Sequence, residues 1–119
     1  MKIIVTGSCG IVGKQIIQDL KKDINVKIIE FDIKLGHDLT NEKEVVKIFK
    51  KIRADSLINC FVINDHFTSI QEKKNFLNYS LEKFSNTLNV NVTALFSVCR
   101  EFIRNNSSGR IINFSSIYG

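Results

Sequence analysis

Three glycines near the start of the chain have the spacing of a phosphate-binding turn. Gly7, Gly10 and Gly13 follow the apolar run 2–6 and precede a helical pattern of apolar residues. A glycine turn lets the main chain approach a pyrophosphate closely, and the N-terminus of the next helix offers free N–H groups. The pattern therefore predicts a dinucleotide site. A tight strand-to-helix turn without a ligand is the alternative interpretation.

A carboxylate at the end of the second apolar run bears on which dinucleotide would bind. Asp32 lies 19 residues after Gly13, where it can accept hydrogen bonds from an adenosine ribose and repel a 2′-phosphate. This position favours NAD over NADP. Lys34 can tolerate the phosphate, so NADP stays an alternative. A turn acid at the end of a strand is the other interpretation of Asp32.

The short segment that follows has two interpretations of equal standing. Asp38 and Leu39 can contact the adenine edge through side chain and backbone, or the segment can simply be a turn that enters a helix. Asn41 has the character of an N-cap, and Glu44 three residues later completes a capping box. The sequence therefore predicts that a helix begins here.

The elements that must position these residues alternate between strand and helix patterns, as in a βαβ fold. The predicted strands cover residues 2–6, 26–31, 56–60 and 110–115. The predicted helices cover residues 11–21, a segment after Asn41, and 81–104, and residues 61–78 form a loop. The first helix places Val12, Ile16 and Leu20 on one face. The pattern predicts an α/β, Rossmann-like, doubly wound parallel sheet.

The long helix predicted over residues 81–104 is apolar on more than one side. One stripe would cover the sheet. The remaining apolar positions predict a second partner, either another subunit or another part of the fold. The alternative is that the helix is simply buried more deeply within its own domain.

Composition excludes several classes of protein. The net charge of +5 comes from lysines spread over outward helix faces, without the clustering that a nucleic-acid site needs. The sequence contains no apolar run of membrane-spanning length, so we expect no membrane association and a cytoplasmic location. The three cysteines have no CxxC spacing, and the two histidines have no paired ligands near them in sequence. We therefore expect free thiols and no metal site.

Five motifs in order resemble the short-chain dehydrogenase/reductase family. They are Thr6-Gly7-x-x-Gly10-x-x-Gly13, Asp38-Leu-Thr40, Asp55-Ser-Leu-Ile-Asn59, Asn91-Val-Thr-Ala94 and Arg110-Ile-Ile-Asn-Phe-Ser-Ser116. The resemblance covers essentially the whole chain and aligns it with the N-terminal half of that domain. The glycine spacing and the segment 115–119 are similar to the extended branch, which acts on nucleotide sugars. The link from Asp32 to Asp38 resembles that of dTDP-4-dehydrorhamnose reductases, and the Asn91 segment resembles the classical branch.

The resemblance implies roles for individual residues. Ser116 matches the serine that hydrogen-bonds the substrate oxygen, with Ser115 as the runner-up. Asn91 matches the asparagine that holds a water for proton relay, and Asn59 matches the end of a strand beside the cofactor. The full set implied to bind the cofactor is Thr6, Gly7, Gly10, Ile11, Gly13, Asp32, Asp38, Leu39 and Asn59. In the alternative interpretation, Ser116 is only a serine at the end of a strand, and Asn91 caps a local irregularity of the helix.

Two departures from the family pattern matter. Cys60, Phe61 and Val62 stand where the family usually has small residues beside the ribose. The family's acid–base pair, Tyr-x-x-x-Lys, is expected after Ser116, and the chain ends before that segment. Tyr79-Ser-Leu-Glu-Lys83 matches the pattern literally but lies before the long helix, so we interpret it as a coincidence. Tyr118 has no lysine after it.

The combined expectation is a partial NAD(P)-binding domain over residues 1–119, truncated after the fifth strand of a 3-2-1-4-5 sheet. Its parent would be an oxidoreductase that moves a hydride between the cofactor and a carbonyl or alcohol, with a sugar or nucleotide sugar as a candidate substrate. We expect this chain to lack turnover and to leave its last strand as a bare edge, and the complete protein to form a homo-oligomer through residues 81–104. The alternatives are a non-catalytic dinucleotide-binding or subunit-interaction protein, and a nucleotide-sugar epimerase or dehydratase.

Overall fold

A four-stranded parallel sheet forms the centre of the computed structural model, which describes residues 1–64 and 76–116. Its strand order is β2-β1-β3-β4. The strands are β1 (Lys2–Thr6), β2 (Lys27–Phe31), β3 (Ser56–Asn59) and β4 (Arg110–Asn113). The helices are α1 (Ile11–Leu20), α2 (Glu42–Lys50), α3 (Leu81–Leu88) and α4 (Leu95–Asn105). This arrangement confirms the predicted Rossmann-like α/β fold.

The register of the sheet brings the carboxyl ends of the strands to one edge. Thr6 is paired with Phe31 on one side and with Asn59 on the other, and Asn59 is paired with Asn113. In open parallel sheets, ligands bind outside this edge. The turns after β1, β2 and β3 therefore lie where a site is expected.

Two apolar layers cover the faces of the sheet. One layer packs α2 and α4 against the sheet and includes Ile4, Phe49, Leu57, Val98 and Phe102. The other layer packs α1 against the opposite face and includes Ile3, Val5, Ile17 and Ile58. Both faces of each central strand are therefore buried, as is usual for parallel strands in α/β folds.

The number of strands differs from the five of the expected 3-2-1-4-5 order. Residues 32–55 contain the 3₁₀ turn Ile33–Leu35 and helix α2, and no strand. These 24 residues are too few for a further strand flanked by two crossovers, because each crossover needs about a dozen residues. In the numbering of the expected 3-2-1-4-5 order, β2, β1, β3 and β4 occupy positions 2, 1, 4 and 5. No strand of the described residues occupies position 3.

The predicted long helix is interrupted in the middle. α3 continues through a π-helical segment, Asn89–Ala94, into α4. Ser80 caps α3, because its side chain accepts a hydrogen bond from Lys83 N at 3.1 Å. The capping box at α2 is half confirmed, since Asn41 Oδ1 accepts from Glu44 N at 3.3 Å.

Apolar side chains on the outer face of this helix lack cover within the described residues. Alanine and larger apolar groups at 94, 98 and 102 are buried against the sheet. The exposed set, here called the outer stripe, is Leu81, Phe84, Leu88, Val92 and Phe96. Strand β4 lies at the edge of the sheet, with Ile112 and Phe114 about half exposed.

Candidate dinucleotide site

Gly7 begins the turn after β1 and has no room for a side chain. Its φ of +67° lies in the left-handed region, and its N–H donates to Phe31 O at 2.8 Å. A Cβ at this position would collide with the main chain of Phe61 and Cys60. The turn after β1 therefore packs directly against the segment after β3, which requires glycine for both conformation and space.

Gly13 is required for a different reason. It lies within α1, and a Cβ there would collide with Gly7 O and approach Ser8 Cα. Gly10 closes the turn through a hydrogen bond from its N–H to Gly7 O at 3.1 Å. Gly7 and Gly13 thus let α1 start close to the strand end, with its first N–H groups facing the same edge of the sheet.

A cleft of about 660 Å³ opens beside this turn. Six of the residues predicted to bind the cofactor line the cleft: Gly7, Gly10, Ile11, Asp32, Asp38 and Leu39. Thr6, Gly13 and Asn59 are absent from its lining and lie behind it as parts of the sheet end and the helix start. Ile11 is 92% exposed, which places its apolar surface where a ligand can cover it.

The position of Val12 differs from the one predicted for it on the first helix. The sequence pattern places it with Ile16 and Leu20 against the sheet. In the structure Val12 lines the cleft and is 45% exposed, while Ile17 takes the buried position. The close approach of the helix start to β1 at Gly13 turns the first turn of α1 toward the cleft.

The far end of the cleft is built around Asp32, which is 8% exposed. Asp32 Oδ2 accepts from Cys9 N at 2.9 Å, and Asp32 Oδ1 accepts from Lys34 N at 2.9 Å. The carboxylate therefore links the glycine turn to the 3₁₀ turn after β2. Asp38 is engaged in a similar way, because its Oδ1 accepts from both the N–H and the hydroxyl of Thr40, at 2.9 and 2.6 Å.

His37 is a lining residue that the sequence did not predict. Its ring stands edge-on to Phe31 with centroids 4.9 Å apart, and its buried Nδ1 has no hydrogen-bond partner among residues 1–64 and 76–116. It is half-buried. Ile63, Asn64 and Val90 also line the cleft, and the sequence did not identify them as site residues. Nearness in sequence to Asn91 was the one available signal for Val90. His66 lies outside the described residues.

Asn91 contacts the cleft through its neighbour Ile63. Asn91 Oδ1 accepts from Ile63 N at 2.9 Å, and Asn91 Nδ2 donates to Ile63 O at 3.0 Å. Asn91 lies in the π-helical segment, which agrees with its interpretation as a residue at a helix irregularity. Both atoms of its amide are thus directed at the main chain that lines the cleft.

A chain of polar side chains crosses the carboxyl ends of three strands. Thr6 Oγ1 donates to Asn59 Oδ1 at 2.8 Å, and Asn59 Nδ2 donates to Asn113 Oδ1 at 2.8 Å. Cys99 joins this set, with its Sγ 3.5 Å from Asn59 Nδ2. Burial raises the pKa of the Cys99 thiol, and burial likewise raises the pKa of the Cys60 thiol. These contacts give Asn59 a role in joining the strands behind the cleft.

The residues implied to do chemistry are spread over different elements. Ser115 and Ser116 are exposed in the segment after β4, beyond the same edge of the sheet. Tyr79 is half-buried just before α3 and Lys83 is exposed on α3, and neither residue lines the cleft. Tyr118 lies outside the described residues. The structure therefore gives the literal Tyr-x-x-x-Lys match no place beside the cleft.

The described residues contain neither a cluster of metal-ligating side chains nor a helix of membrane-spanning character. Among residues 1–64 and 76–116, no group of three His, Cys, Asp or Glu side chains could hold a metal ion. No helix in this part of the chain is long and apolar enough to cross a bilayer. A larger, more open cleft of about 820 Å³ lies at the amino ends of the strands, lined by Lys2, Arg53 and Asp55 among others. It has no glycine turn, so the smaller cleft is the better candidate for a dinucleotide.

Three solved structures show the same fold. A small-chain dehydrogenase in complex with NADPH has a TM-score of 0.81 at 15% identity, over 98% of this chain and 51% of that one. A short-chain dehydrogenase from Leptospira borgpetersenii with bound NAD⁺ has a TM-score of 0.72 at 24% identity, over 98% and 52%. A dTDP-4-dehydrorhamnose reductase from Clostridium acetobutylicum has a TM-score of 0.69 at 24% identity, over 93% and 34%.

The chain therefore spans about half the length of the two dehydrogenases and a third of the reductase. No curated protein matches it. The family model of the short chain dehydrogenases matches residues 1–119, which is the whole chain. Together with the parallel sheet and the glycine turn, this match shows that the chain belongs to the short-chain dehydrogenase family.

Proposed function

We propose that the protein binds NAD or NADP and is part of an oxidoreductase that transfers a hydride between the nicotinamide and a carbonyl or alcohol carbon. The observation that carries the proposal is the closure of the glycine turn. A Cβ at Gly7 would meet the main chain after β3, and a Cβ at Gly13 would meet Gly7 O. Such close backbone approaches at the start of a helix suit a pyrophosphate.

The shape of the cleft supports a long, partly apolar ligand. Its volume of about 660 Å³ falls within the range of small-molecule sites, about 300–1,000 Å³. Apolar side chains such as Ile11, Val12 and Val62 face it near the turn, and charged side chains face it at the other end. Relatives of the same fold contain NADPH and NAD⁺ in their structures, which further supports the proposal.

The bound cofactor would supply the hydride chemistry, and the chain's own residues would bind and orient it. The turn at residues 7–13 would hold the pyrophosphate, and Asn91 would hold the loop at Ile63 against the cleft. Ser116, with Ser115 as the alternative, would hydrogen-bond the substrate oxygen. Tyr79 and Lys83 do not line the cleft, so we propose that this chain by itself lacks the acid–base pair and therefore normal turnover.

The proposal also covers the larger domain, the cellular compartment and the partner of this chain. Residues 1–119 would form part of a larger NAD(P)-binding domain, which is supported by the length of the relatives. The three cysteines are free thiols, which supports a reducing compartment such as the cytoplasm. The uncovered outer stripe supports a second copy of the protein as partner, and no feature described supports nucleic acid.

The test of cofactor binding is a titration of the chain with NADH and with NADPH, followed by cofactor fluorescence and by calorimetry. We expect one molecule of cofactor per chain and competition by ADP-ribose, which lacks the nicotinamide. Absence of binding by both cofactors in a folded sample would overturn the proposal. The variants Gly7→Ala and Gly36→Ala form a matched pair, because only Gly7 closes the cleft.

The reaction itself needs a separate measurement on the protein isolated from its source cells. Its intact mass shows whether it extends beyond 13.6 kDa. Net oxidation or reduction of added cofactor with a carbonyl or sugar substrate would support the oxidoreductase. Conversion of a nucleotide sugar without net cofactor change would instead favour an epimerase or dehydratase. Binding without any turnover would favour a non-catalytic binding protein.

A further inference from the structure

We infer that Asp32 positions the glycine turn rather than selecting the cofactor, and that the cleft accepts NAD and NADP with similar affinity. The inference rests on the proposed function, because it assigns a cofactor class to the same cleft. It differs from the expectation that a carboxylate at the end of β2 selects NAD by binding the ribose. The two interpretations predict opposite behaviour when Asp32 is changed.

The hydrogen bonds of Asp32 are made within the protein. Oδ2 accepts from Cys9 N and Oδ1 from Lys34 N, both at 2.9 Å. The residue lines the cleft but is only 8% exposed. Hydrogen bonds from backbone N–H groups to a carboxylate are stronger than neutral ones. A ribose hydroxyl would have to compete with both of these bonds or share their acceptors.

The position of these donors explains what Asp32 does. Cys9 follows Ser8 in the turn between Gly7 and Gly10, and Asp32 accepts a hydrogen bond from its N–H. Gly7 N and Ser8 N both donate to Phe31 O, at 2.8 and 3.4 Å. The end of β2 therefore fixes three consecutive N–H groups of the turn. Asp32 acts on a ligand through the conformation of this turn.

The side chain that can respond to a 2′-phosphate is Lys34. Within the described residues, the charged side chains that line the cleft are Asp32, Lys34 and Asp38, with His37 as a further titratable group. Lys34 is exposed and has no ion pair in this part of the chain. Asp38 is held by Thr40. The attraction of Lys34 for a phosphate and the repulsion from Asp32 oppose each other, so neither cofactor gains a large advantage.

The experiment measures the dissociation constants of NADH and NADPH for the wild-type protein and three variants. For the wild type, we expect the two constants to agree within about fivefold, the effect of one exposed charge pair. Lys34→Ala should weaken NADPH by up to about fivefold and leave NADH unchanged. Lys50→Ala, an exposed lysine of α2 that lines no cleft described here, is the matched control and should change neither constant.

Asp32→Asn separates positioning from selection. It keeps one acceptor and replaces the other with a donor, so either the bond to Cys9 N or the bond to Lys34 N is lost, and the link between the two turns is broken. We expect both constants to rise by a similar factor, with their ratio unchanged. A ribose-binding role predicts weaker NADH and stronger NADPH, with the ratio moving about tenfold or more. A role in stability alone predicts a lower Tm with both constants unchanged in the folded protein.

The outcomes are distinguishable. If neither cofactor binds to the folded wild type, the proposed function fails. If both bind and the wild type prefers one by more than about tenfold, the further inference fails and the proposed function stands. The same holds if Asp32→Asn shifts the ratio or leaves both constants unchanged. If Asp32→Asn does not fold, the wild-type ratio and the response of Lys34→Ala still decide the question.

Discussion

Asn91 holds the main chain of Ile63 through both atoms of its side-chain amide. The oxygen accepts from Ile63 N at 2.9 Å, and the nitrogen donates to Ile63 O at 3.0 Å. The two residues are 28 positions apart, one in the π-helical segment and the other in the chain leaving β3. Because Ile63 lines the cleft, this pair connects the long helix to the wall of the site.

Replacing Asn91 with alanine should loosen this wall. Asn91→Ala removes both bonds and leaves two backbone groups of Ile63 without their partner, so we expect a loss of about 1–3 kcal/mol in the free energy of unfolding. Cofactor affinity should fall as well. Denaturation in urea measures the first effect and NADH titration the second. Asn89→Ala, an exposed residue of the same segment, is the control and should change stability by less than about 0.5 kcal/mol. Equal effects of the two variants would contradict the role of the pair.

Gly7 and Gly36 allow conformation and space to be separated. Both have positive φ, +67° and +85°, so alanine at either position pays a similar conformational cost of about 1–2 kcal/mol. Of the two, only Gly7 has main-chain atoms where the Cβ would lie, whereas no atom of the described residues lies near a Cβ at Gly36. We therefore expect Gly7→Ala to destabilise by about 1–3 kcal/mol more than Gly36→Ala and to abolish cofactor binding. Similar unfolding curves for the two variants would show that the approach of Phe61 is less tight than described.

The polar chain across the strand ends makes Thr6 sensitive to an isosteric change. Thr6→Val keeps the shape of the side chain and removes the donor to Asn59 Oδ1, which is buried. A buried acceptor left without its donor costs about 1–3 kcal/mol. Thr93→Val, at an exposed position that does not line the cleft, should cost less than about 0.5 kcal/mol. Thermal and urea denaturation test the difference, and a neutral Thr6→Val would show that Asn59 finds another donor.

Acid should weaken the contact between α2 and α4. Arg100 donates a hydrogen bond to Glu42 Oε1 at 2.6 Å, and this bond lowers the pKa of the Glu42 carboxyl below its ordinary value. A carboxyl with a lowered pKa stabilises the fold above the pH at which it titrates in the unfolded chain, about 4.3, and this contribution is lost as pH falls further. Glu42→Gln should therefore lower Tm at neutral pH, with the difference from wild type shrinking below about pH 4.3.

Glu44→Gln is the matched control for this pH effect. Glu44 lies in the same first turn of α2, so both carboxylates interact with the helix dipole. It forms no ion pair in the described part of the chain. We expect a smaller effect on Tm from Glu44→Gln than from Glu42→Gln. Because Glu42 is exposed and Arg100 is partly exposed, added salt should reduce the difference. A difference that persists at low pH would rule out the ion pair as its cause.

The outer stripe should mediate association between copies of the chain. Leu88→Glu places a charge in the middle of this apolar surface, and we expect it to shift the protein toward the monomer. Asn86→Glu adds the same charge on the same helix at an exposed position outside the stripe, and it should leave association unchanged. Light scattering after size-exclusion chromatography measures both. A wild-type chain that elutes as a sharp monomer at all concentrations would contradict a self-association surface.

Much of the scaffold could be predicted, because its signals are local in sequence. The strand ends at Thr6 and Asn59, the cap at Asn41 and the glycine turn each follow from neighbouring residues. The π-helical segment could not be predicted, since a wide turn leaves the apolar spacing of a helix nearly intact. The absence of a third strand follows from the small number of residues between Asp32 and Asp55. The family resemblance implied five strands instead, and the prediction followed the resemblance.

The parts of the site that could not be predicted depend on three-dimensional neighbours. The sequence identified Asp32 but not that its oxygens accept from the backbone of Cys9 and Lys34. His37 enters the cleft because its ring packs on Phe31, and nothing in its sequence neighbours indicates this. The roles of Ser116 and Asn91 in chemistry stay predictions, because they depend on a substrate and on an acid–base pair.

The contact between Asn91 and Ile63 depends on the number of residues in the π-helical segment. Six residues, Asn89–Ala94, occupy a turn that is wider than an α-helical turn by one residue. Deleting one of them would restore a regular α-helical turn, so the helices on either side would keep their faces while the residues within the segment would move to new positions. The deletion would move Asn91 off Ile63 and leave the outer stripe of α3 facing its present direction. Evolution can therefore substitute residues here more freely than it can change their number.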